Sequence, residues 1–198
     1  AGSLVHIYYN DGSVHVNHGG VEMGNGVHTK IAQLTAHALG INFSKIKVSA
    51  TTTDKVPNTS ASAASSTTDL NGAATLNAIS KIKMNLAAYV KRKYKIKNSE
   101  GIYENGMVKF KGKTFKFNRL VKEAYLNRVS LSSTGFYTTP KIHFDKKTFT
   151  GRPFLYFCYS AAISEVMIDT LTGENKILRA DIIHDAGRAI NPAIEKGQ

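Results

Sequence analysis

The sequence HGGVEMGNGVHTKIAQLTAHALG, residues 18–40, carries the strongest structural signal of this chain. Four glycines fall within its first nine residues, which is too many for a helix or a regular strand. Apolar residues then recur with the spacing of one helix face, at Val27, Ile31, Leu34 and Ala38, and Gly40 is a typical helix end. The segment predicts a glycine-rich loop that opens directly into a helix.

Regular elements are predicted on both sides of this loop. Residues 4–9 and 14–17 alternate around a turn at 10–13, which predicts a β-hairpin, and residues 46–49 predict a strand. A long amphipathic helix follows, with apolar residues three or four apart: Leu76, Ile79, Ile82, Leu86 and Val90.

The second half of the chain adds hairpins and a short helix. The pattern predicts a hairpin at 107–117, a helix at 119–126 and a strand at 129–136. Two long strands at 154–169 and 176–185 are joined by a loop of hairpin length. The fold class is therefore α+β, with sheet hairpins packed against helices.

Composition limits the possible classes of protein. With 198 residues, 42% hydrophobic and 20% charged, the chain has globular composition and wholesale disorder is excluded. One cysteine, Cys158, cannot close an internal disulfide, so we expect a reducing, intracellular compartment. The apolar neighbours of Cys158 in the sequence predict that it is a small core residue. No apolar stretch reaches the ~20 residues that span a bilayer, so no membrane association is expected.

The net charge of +12 is confined to one block. Of the 26 basic residues, 17 lie between Lys81 and Lys147, together with 4 of the 14 acidic residues. The rest of the chain holds 9 basic and 10 acidic residues and is nearly neutral. Alternation of Val108 and Phe110 with lysines indicates a strand with one solvated face. A solvated, insertion-like region at about 81–147 is favoured over a nucleic-acid-binding module, which stays the alternative of another class.

A second helix entrance resembles the first in its chemistry. Residues 60–68 contain six hydroxyl side chains and three alanines at the start of the long helix. Backbone amides and hydroxyls can donate to phosphate or carbonyl oxygens, and a helix N-terminus favours an anion. Two such entrances predict a site for an extended anionic ligand. Neither a Walker sequence nor a dinucleotide-binding glycine motif is present.

Other chemistries receive less support. His15 and His18 lack a nearby cysteine or carboxylate at metal-ligand spacing and are interpreted as surface residues. Glu22 and Glu165 are flanked by apolar residues, which favours buried carboxylates bonded to backbone amides.

Several motifs, in order along the chain, resemble the xanthine dehydrogenase family of molybdenum hydroxylases. Residues 19–30 (GGVEMGNGVHTK) are similar to the family's first cofactor motif, and residues 56–60, 62–65 and 69–72 are similar to its second. Residues 129–132 with 134–137, 139–143 and 151–154 resemble especially the bacterial molybdenum-binding subunit. Residues 168–173 and the segment from 181–182 through 191–194 are similar to the family as well. The resemblance implies that residues 1–198 are an internal fragment of the molybdopterin-binding domain, of the xanthine dehydrogenase/aldehyde oxidase type.

Carried over position by position, the resemblance implies a cofactor site formed by the two loops and by the last residue of the chain. The implied cofactor-binding residues are Met23, Gly24, Asn25, Ser62, Ala64, Ser65, Ser66, Thr67 and Gln198. The backbone of Ala64 would lie beside the molybdenum. Asn25 replaces the family's usual glutamine, so a lost or water-bridged cofactor hydrogen bond is expected there, and Ala61 replaces a usual proline.

The implied activity is oxidation of hypoxanthine and xanthine to urate with water as the oxygen source. The resemblance places no catalytic residue in this chain, so the fragment alone would not turn over substrate. The 2Fe–2S clusters and FAD are expected elsewhere in a cytoplasmic, oligomeric enzyme. An aldehyde oxidase or another N-heterocycle hydroxylase is the alternative within the same class.

Overall fold

The computed structural model describes residues 1–56, 58–96 and 100–197. Gln198, which the resemblance assigns to the cofactor, therefore lies outside the described residues. The chain divides into two compact units, a first unit of residues 1–138 and a second unit of residues 139–197. Within the described ranges, none of the helices combines the length and the apolar character needed to cross a membrane.

The elements alternate between short strands and helices. Along the chain they are β1 (Gly2–Ile7), β2 (Val14–His18), α1 (Val27–Leu39), a 3-10 helix (Phe43–Lys45), β3 (Ile46–Val48), α2 (Thr67–Tyr94), β4 (Ile102–Glu104), β5 (Met107–Phe110), β6 (Lys113–Lys116), α3 (Phe117–Leu126), β7 (Ser132–Phe136), β8 (His143–Asp145), β9 (Thr150–Arg152), β10 (Tyr159–Ile168), β11 (Asn175–Asp185) and α4 (Pro192–Lys196).

A four-stranded sheet in the order β3-β2-β1-β7 organises the first unit. β1 pairs antiparallel with β2 and β7, whereas β2 and β3 are parallel and joined through α1. Alternate residues of the predicted hairpin, such as Val5 and Val16, are fully buried. The predicted α2 stripe is confirmed at Ile79, Ile82, Leu86 and Val90, but Leu76 lies 39% exposed because the helix is covered on one side only.

Much of the basic block is built into the first unit. Val108 and Phe110 of β5 are buried in the same hydrophobic cluster as the main sheet, as their alternation with lysines predicts. The Glu123 carboxylate on α3 accepts hydrogen bonds from the Tyr89 and Tyr94 hydroxyls of α2, at 2.8 and 2.5 Å. The block thus contributes core and helix contacts, and its interpretation as a divergent insertion stays a prediction.

The second unit consists of two hairpins and one short helix. β8 pairs with β9, and β10 with β11, both antiparallel. The Asn191 side chain accepts hydrogen bonds from the amides of Ala193 and Ile194 and so caps α4. No described side chain of this unit is buried. The prediction that Cys158 is a core residue is therefore wrong: this cysteine is exposed, because the described residues of this unit form no second layer over the β10–β11 hairpin.

Candidate functional site

The two predicted loops meet at one end of the first unit. The Val21 amide donates a hydrogen bond to the Ser62 hydroxyl oxygen at 2.8 Å, although the residues lie 41 positions apart. The Thr51 hydroxyl is within hydrogen-bond distance of the carbonyl oxygens of both His18 and Gly20. These contacts fix the first loop against the segment that leads into α2.

Gly20 allows this close approach. A Cβ atom at Gly20 would lie 2.7 Å from Cγ2 of Thr67 and 3.0 Å from Nδ2 of Asn71. The Gly19 amide donates to Oδ1 of Asn71 at 3.2 Å, which ties the end of β2 to the first turns of α2. Side chains larger than hydrogen would therefore separate the two loops.

Glu22 occupies the N-terminus of α1 with its own carboxylate. Its Oε1 accepts from the amides of Gly24 and Gly26 at 3.0 and 2.9 Å, and its Oε2 accepts from the His28 amide at 3.0 Å. Partial desolvation tends to raise the pKa of the Glu22 carboxyl, but the three amide hydrogen bonds outweigh this effect and hold the pKa below its ordinary value. The predicted amide bonds are confirmed, whereas burial of Glu22 is wrong because its side chain lies at the surface.

His18 is a second residue that supports the first loop. The interpretation of His18 as a surface residue is wrong, since it is 1% exposed beneath the loop. Its Nδ1 accepts a hydrogen bond from the Gly20 amide at 3.1 Å, and its ring meets that of His28 edge to face with 5.1 Å between centroids. Burial, assisted by His28, lowers the pKa of His18 to about 4, although Glu22 opposes the change.

We expect the buried His18 to make the first unit lose stability on acidification. Between pH 6.5 and about 4 the unfolded chain takes up a proton that folded His18 does not, so the free energy of unfolding falls as pH falls. The shift corresponds to roughly 3 kcal/mol across that window. Hydrogen exchange of the β1 and β2 amides, corrected for intrinsic rates, measures this loss.

The matched control is His18→Asn. The asparagine oxygen can replace Nδ1 as the acceptor for the Gly20 amide, but it does not titrate in this range. The variant should therefore show a flatter pH profile than the wild-type protein. Parallel profiles for the two proteins would contradict a neutral, buried His18.

The structure brings most of the predicted cofactor residues to one cleft, which we term the inter-loop cleft. It has a volume of about 270 Å³ and is lined by Met23, Asn25, Lys30, Ser62, Ala63, Ala64, Ser65, Thr67 and Thr68. Of the remaining predicted residues, Gly24 lies within the first loop and Ser66 is the N-cap of α2. The assignment of these residues to a cofactor stays a prediction.

Several predicted residues already have partners within the protein. Asn25 donates from Nδ2 to the Val21 carbonyl oxygen at 3.3 Å and accepts the Val27 amide at Oδ1 at 3.2 Å. The Ser66 hydroxyl donates to the carbonyl oxygen of Ala63 at 3.0 Å. These side chains shape the loops, so any ligand contact they make competes with an existing hydrogen bond.

The backbone at Ala64 and Ser65 is strained. Their φ angles are 53° and 55°, in the left-handed region that side chains with a Cβ atom rarely adopt. Such strain persists only where the surrounding structure enforces it, and it is concentrated at functional sites. It turns this segment toward the cleft immediately before α2 begins.

Sequence reasoning missed Lys30, Ala63 and Thr68 as lining residues. Lys30 is the fourth residue of α1 and one turn beyond the glycine-rich loop. Its place one turn after Gly26, the N-cap of α1, was a usable signal, because residues four apart are neighbours on a helix. Within the described ranges, no cluster of three or more histidine, cysteine or acidic side chains could hold a metal ion.

Comparison with known proteins gives consistent matches. A family model described as "Molybdopterin cofactor-binding domain" matches residues 1–198. The chain is 48% identical over 198 residues to "Xanthine dehydrogenase/oxidase" of Felis catus and 45% identical to "Xanthine dehydrogenase" of Oryza sativa subsp. japonica. All of this chain is covered in both cases, but only 13% of each relative's length. The expectation of a bacterial type stays a prediction.

The fold also matches solved structures. For "Reconstituted CO dehydrogenase from Oligotropha carboxidovorans", the TM-score is 0.77 at 24% identity. The match covers 99% of this chain and 24% of that one. At this identity the likeness concerns the fold alone, and it confirms the predicted mixture of helices and sheet hairpins.

Proposed function

Because this chain belongs to the family of molybdopterin cofactor-binding domains, we propose that its two loops hold the cofactor in a xanthine dehydrogenase-type molybdenum hydroxylase. The relatives' names and the inter-loop cleft support this proposal together. The motif resemblance to the xanthine dehydrogenase family is confirmed, whereas the activity of the whole protein is inferred because the chain spans 13% of those relatives.

The observation that carries the proposal is the convergence of the two loops. A single cleft is lined by an amide-rich glycine loop, several hydroxyl groups and one lysine, although these come from segments about 40 residues apart. A pterin with a phosphate needs hydrogen-bond donors along its length and a cation near its anionic end, and these groups fit that requirement.

The residues of this chain would bind and orient the cofactor. Met23 is 64% exposed at the cleft and offers an apolar contact, and Asn25 offers an amide. The strained backbone of Ala64 and Ser65 would bring main-chain groups close to the metal end. When bound, the cofactor supplies hydroxylation chemistry at a carbon atom, with the oxygen taken from water.

We extend the proposal to the whole protein. The substrate class is a purine or related N-heterocycle, with xanthine the first candidate. Iron–sulfur and FAD groups would accept the electrons in other parts of a cytoplasmic, oligomeric enzyme. The alternative of a nucleic-acid-binding module finds no support in the family model or the relatives.

Molybdenum content and pterin fluorescence after acid oxidation test the proposal directly. We expect near-stoichiometric metal and pterin in the intact protein when it is expressed with its cofactor-insertion machinery. Absence of both from well-folded protein would contradict cofactor binding.

A substrate panel then tests the assigned activity. Xanthine and hypoxanthine should be oxidised to urate, whereas preferential turnover of aldehydes or of other N-heterocycles would favour the alternative within the enzyme class. The substrate panel therefore tests the activity of the whole protein. The cofactor assignment is tested separately, by the metal and pterin content.

A further inference from the structure

A single buried side-chain amide joins the glycine-rich loop directly to α2. Asn71 is 3% exposed and lies in the second turn of the helix. Its Oδ1 accepts the Gly19 amide at 3.2 Å across 52 positions of sequence, and its Nδ2 donates to the Thr67 carbonyl oxygen at 2.8 Å. One planar group therefore holds the start of the loop and the first residue of α2 at the same time.

The orientation of this amide is determined by its two partners. Gly19 offers an N–H group and Thr67 a carbonyl oxygen, so exchanging Oδ1 and Nδ2 would place donor against donor and acceptor against acceptor. A Cβ atom at Gly20 would lie 3.0 Å from Nδ2 of Asn71, so the loop packs directly on the amide. A side chain without both a donor and an acceptor here would lose one of the two bonds, and a buried group that loses its partner is costly.

α2 is itself fixed to the main sheet at this point. The Thr75 hydroxyl, fully buried one turn after Asn71, donates to the Asn71 carbonyl oxygen at 2.8 Å and lies 2.9 Å from the Ser3 hydroxyl of β1. Ser3 in turn donates to the Asn17 carbonyl oxygen of β2 at 3.0 Å. Because these contacts hold the helix to two strands, the sheet sets the position of the Asn71 amide, and the loop is placed relative to it.

The neighbouring amides of the loop find their partners elsewhere. The Gly20 amide donates to Nδ1 of His18, and the Val21 amide donates to the Ser62 hydroxyl oxygen. Among the hydrogen bonds between described residues, the one to Asn71 is the bond that joins the start of the loop to α2 itself. Its loss would therefore remove the direct connection between these two elements.

We infer that Asn71 is a positioning residue for the inter-loop cleft: its amide sets how far the glycine-rich loop lies from the start of α2, and so the width of the cleft. Met23 and Asn25 line the cleft on the loop side, and Thr67 and Thr68 line it on the α2 side. Asn71 itself is not among the described lining residues. The inference deepens the proposed function, and it rests on that function where cofactor retention is the readout.

Asn71→Leu tests the inference, because leucine has a similar shape and neither of the two polar atoms. In the cofactor-free intact protein, we expect the Gly19 amide to exchange its hydrogen at least about tenfold faster, since it loses its buried acceptor. In the cofactor-loaded protein, pterin should be released at least about tenfold faster as well. Circular dichroism of each variant verifies folding.

Thr75→Val is the matched control, because it removes an equally buried hydrogen-bonding group from α2 one turn further along. It should lower the free energy of unfolding, but Gly19 exchange and pterin release should stay within about twofold of the wild-type values. If Thr75→Val released pterin as fast as Asn71→Leu, the role of Asn71 would be merely structural and the inference would be overturned.

Asn71→Asp is a second variant, whose effect pH can reverse. An ionised carboxylate can accept from Gly19 but meets the Thr67 carbonyl oxygen without a donor, whereas a protonated carboxyl group has a donor and an acceptor, as the native amide has. Burial raises the pKa of such a carboxyl above its ordinary value of about 4. We expect fast Gly19 exchange at about pH 8 and recovery toward the wild-type rate at about pH 5.

The variant is compared with the wild-type protein at each pH, because His18, Glu22 and Asp69 titrate in both proteins. A constant ratio of the two Gly19 exchange rates across this range, or an unchanged rate in Asn71→Leu, overturns the inference. The exchange measurements do not depend on cofactor. Wild-type protein that holds neither molybdenum nor pterin, but shows the expected exchange pattern, therefore refutes the proposed function alone.

Discussion

Replacement of Gly135 by alanine should weaken the packing of α2 on the main sheet by about 3 kcal/mol. Gly135 lies in β7, and a Cβ atom there would overlap the carbonyl oxygen of Ala74 and lie 2.5 Å from the backbone nitrogen of Ala78. Both are backbone atoms in the middle of α2, so no side-chain rotation relieves the clash. Hydrogen exchange of the α2 amides measures the loss as a lower opening free energy.

Gly2→Ala is the matched control within the same sheet. A Cβ atom at Gly2 would lie 3.4 Å from the Val56 side chain and 3.9 Å from the carbonyl oxygen of Gly135, which are both ordinary van der Waals contacts. Since an alanine also restricts the unfolded chain, the control should change the opening free energy by less than about 1 kcal/mol. Equal effects of the two substitutions would show that close packing at Gly135 is not what requires a glycine.

Loss of the Glu22 carboxylate should have the largest effect on the candidate site. Glu22→Ala removes the acceptor of three amides at once, so the loop of Met23 and Asn25 loses its fixed shape. Charge-assisted hydrogen bonds of this kind make the expected loss of bound molybdenum and pterin about tenfold or more. Faster hydrogen exchange at the freed amides reports the loop change without reference to cofactor.

Two controls accompany this prediction. Glu22→Gln keeps one amide oxygen as acceptor and should fall between wild-type protein and Glu22→Ala in cofactor content. Glu165→Ala removes an exposed glutamate on β10 and should change neither readout. Unchanged exchange at Gly24, Gly26 and His28 in Glu22→Ala would refute the role given to this carboxylate.

The acid sensitivity of the loop follows from the same contacts. Because its pKa is held below the ordinary value, the Glu22 carboxylate keeps its three amide partners at neutral pH and well into the acidic range. The bonds are lost as pH falls through that lowered pKa. In Glu22→Ala this contribution to the pH profile disappears.

Local patterns in the sequence were sufficient to predict α1, the β1–β2 hairpin, most of the α2 stripe and the two loops. These features depend on the spacing of apolar residues and on glycine, which act over a few neighbouring positions. The motifs similarly identified the family, because they preserve residue types in order along the whole chain.

The sequence did not reveal which polar groups find partners. The Val21–Ser62 bond joins residues 41 positions apart, and the His18 carbonyl oxygen and the Gly19 amide find their partners on Thr51 and Asn71 in other segments. Cys158 has an apolar sequence context and is nevertheless exposed. Glycine spacing predicted an anion site at the α1 entrance, but it did not reveal that the Glu22 carboxylate accepts hydrogen bonds from the amides of that entrance. Periodicity reports which face of an element is apolar, but only the tertiary structure decides what covers that face and which donor meets which acceptor.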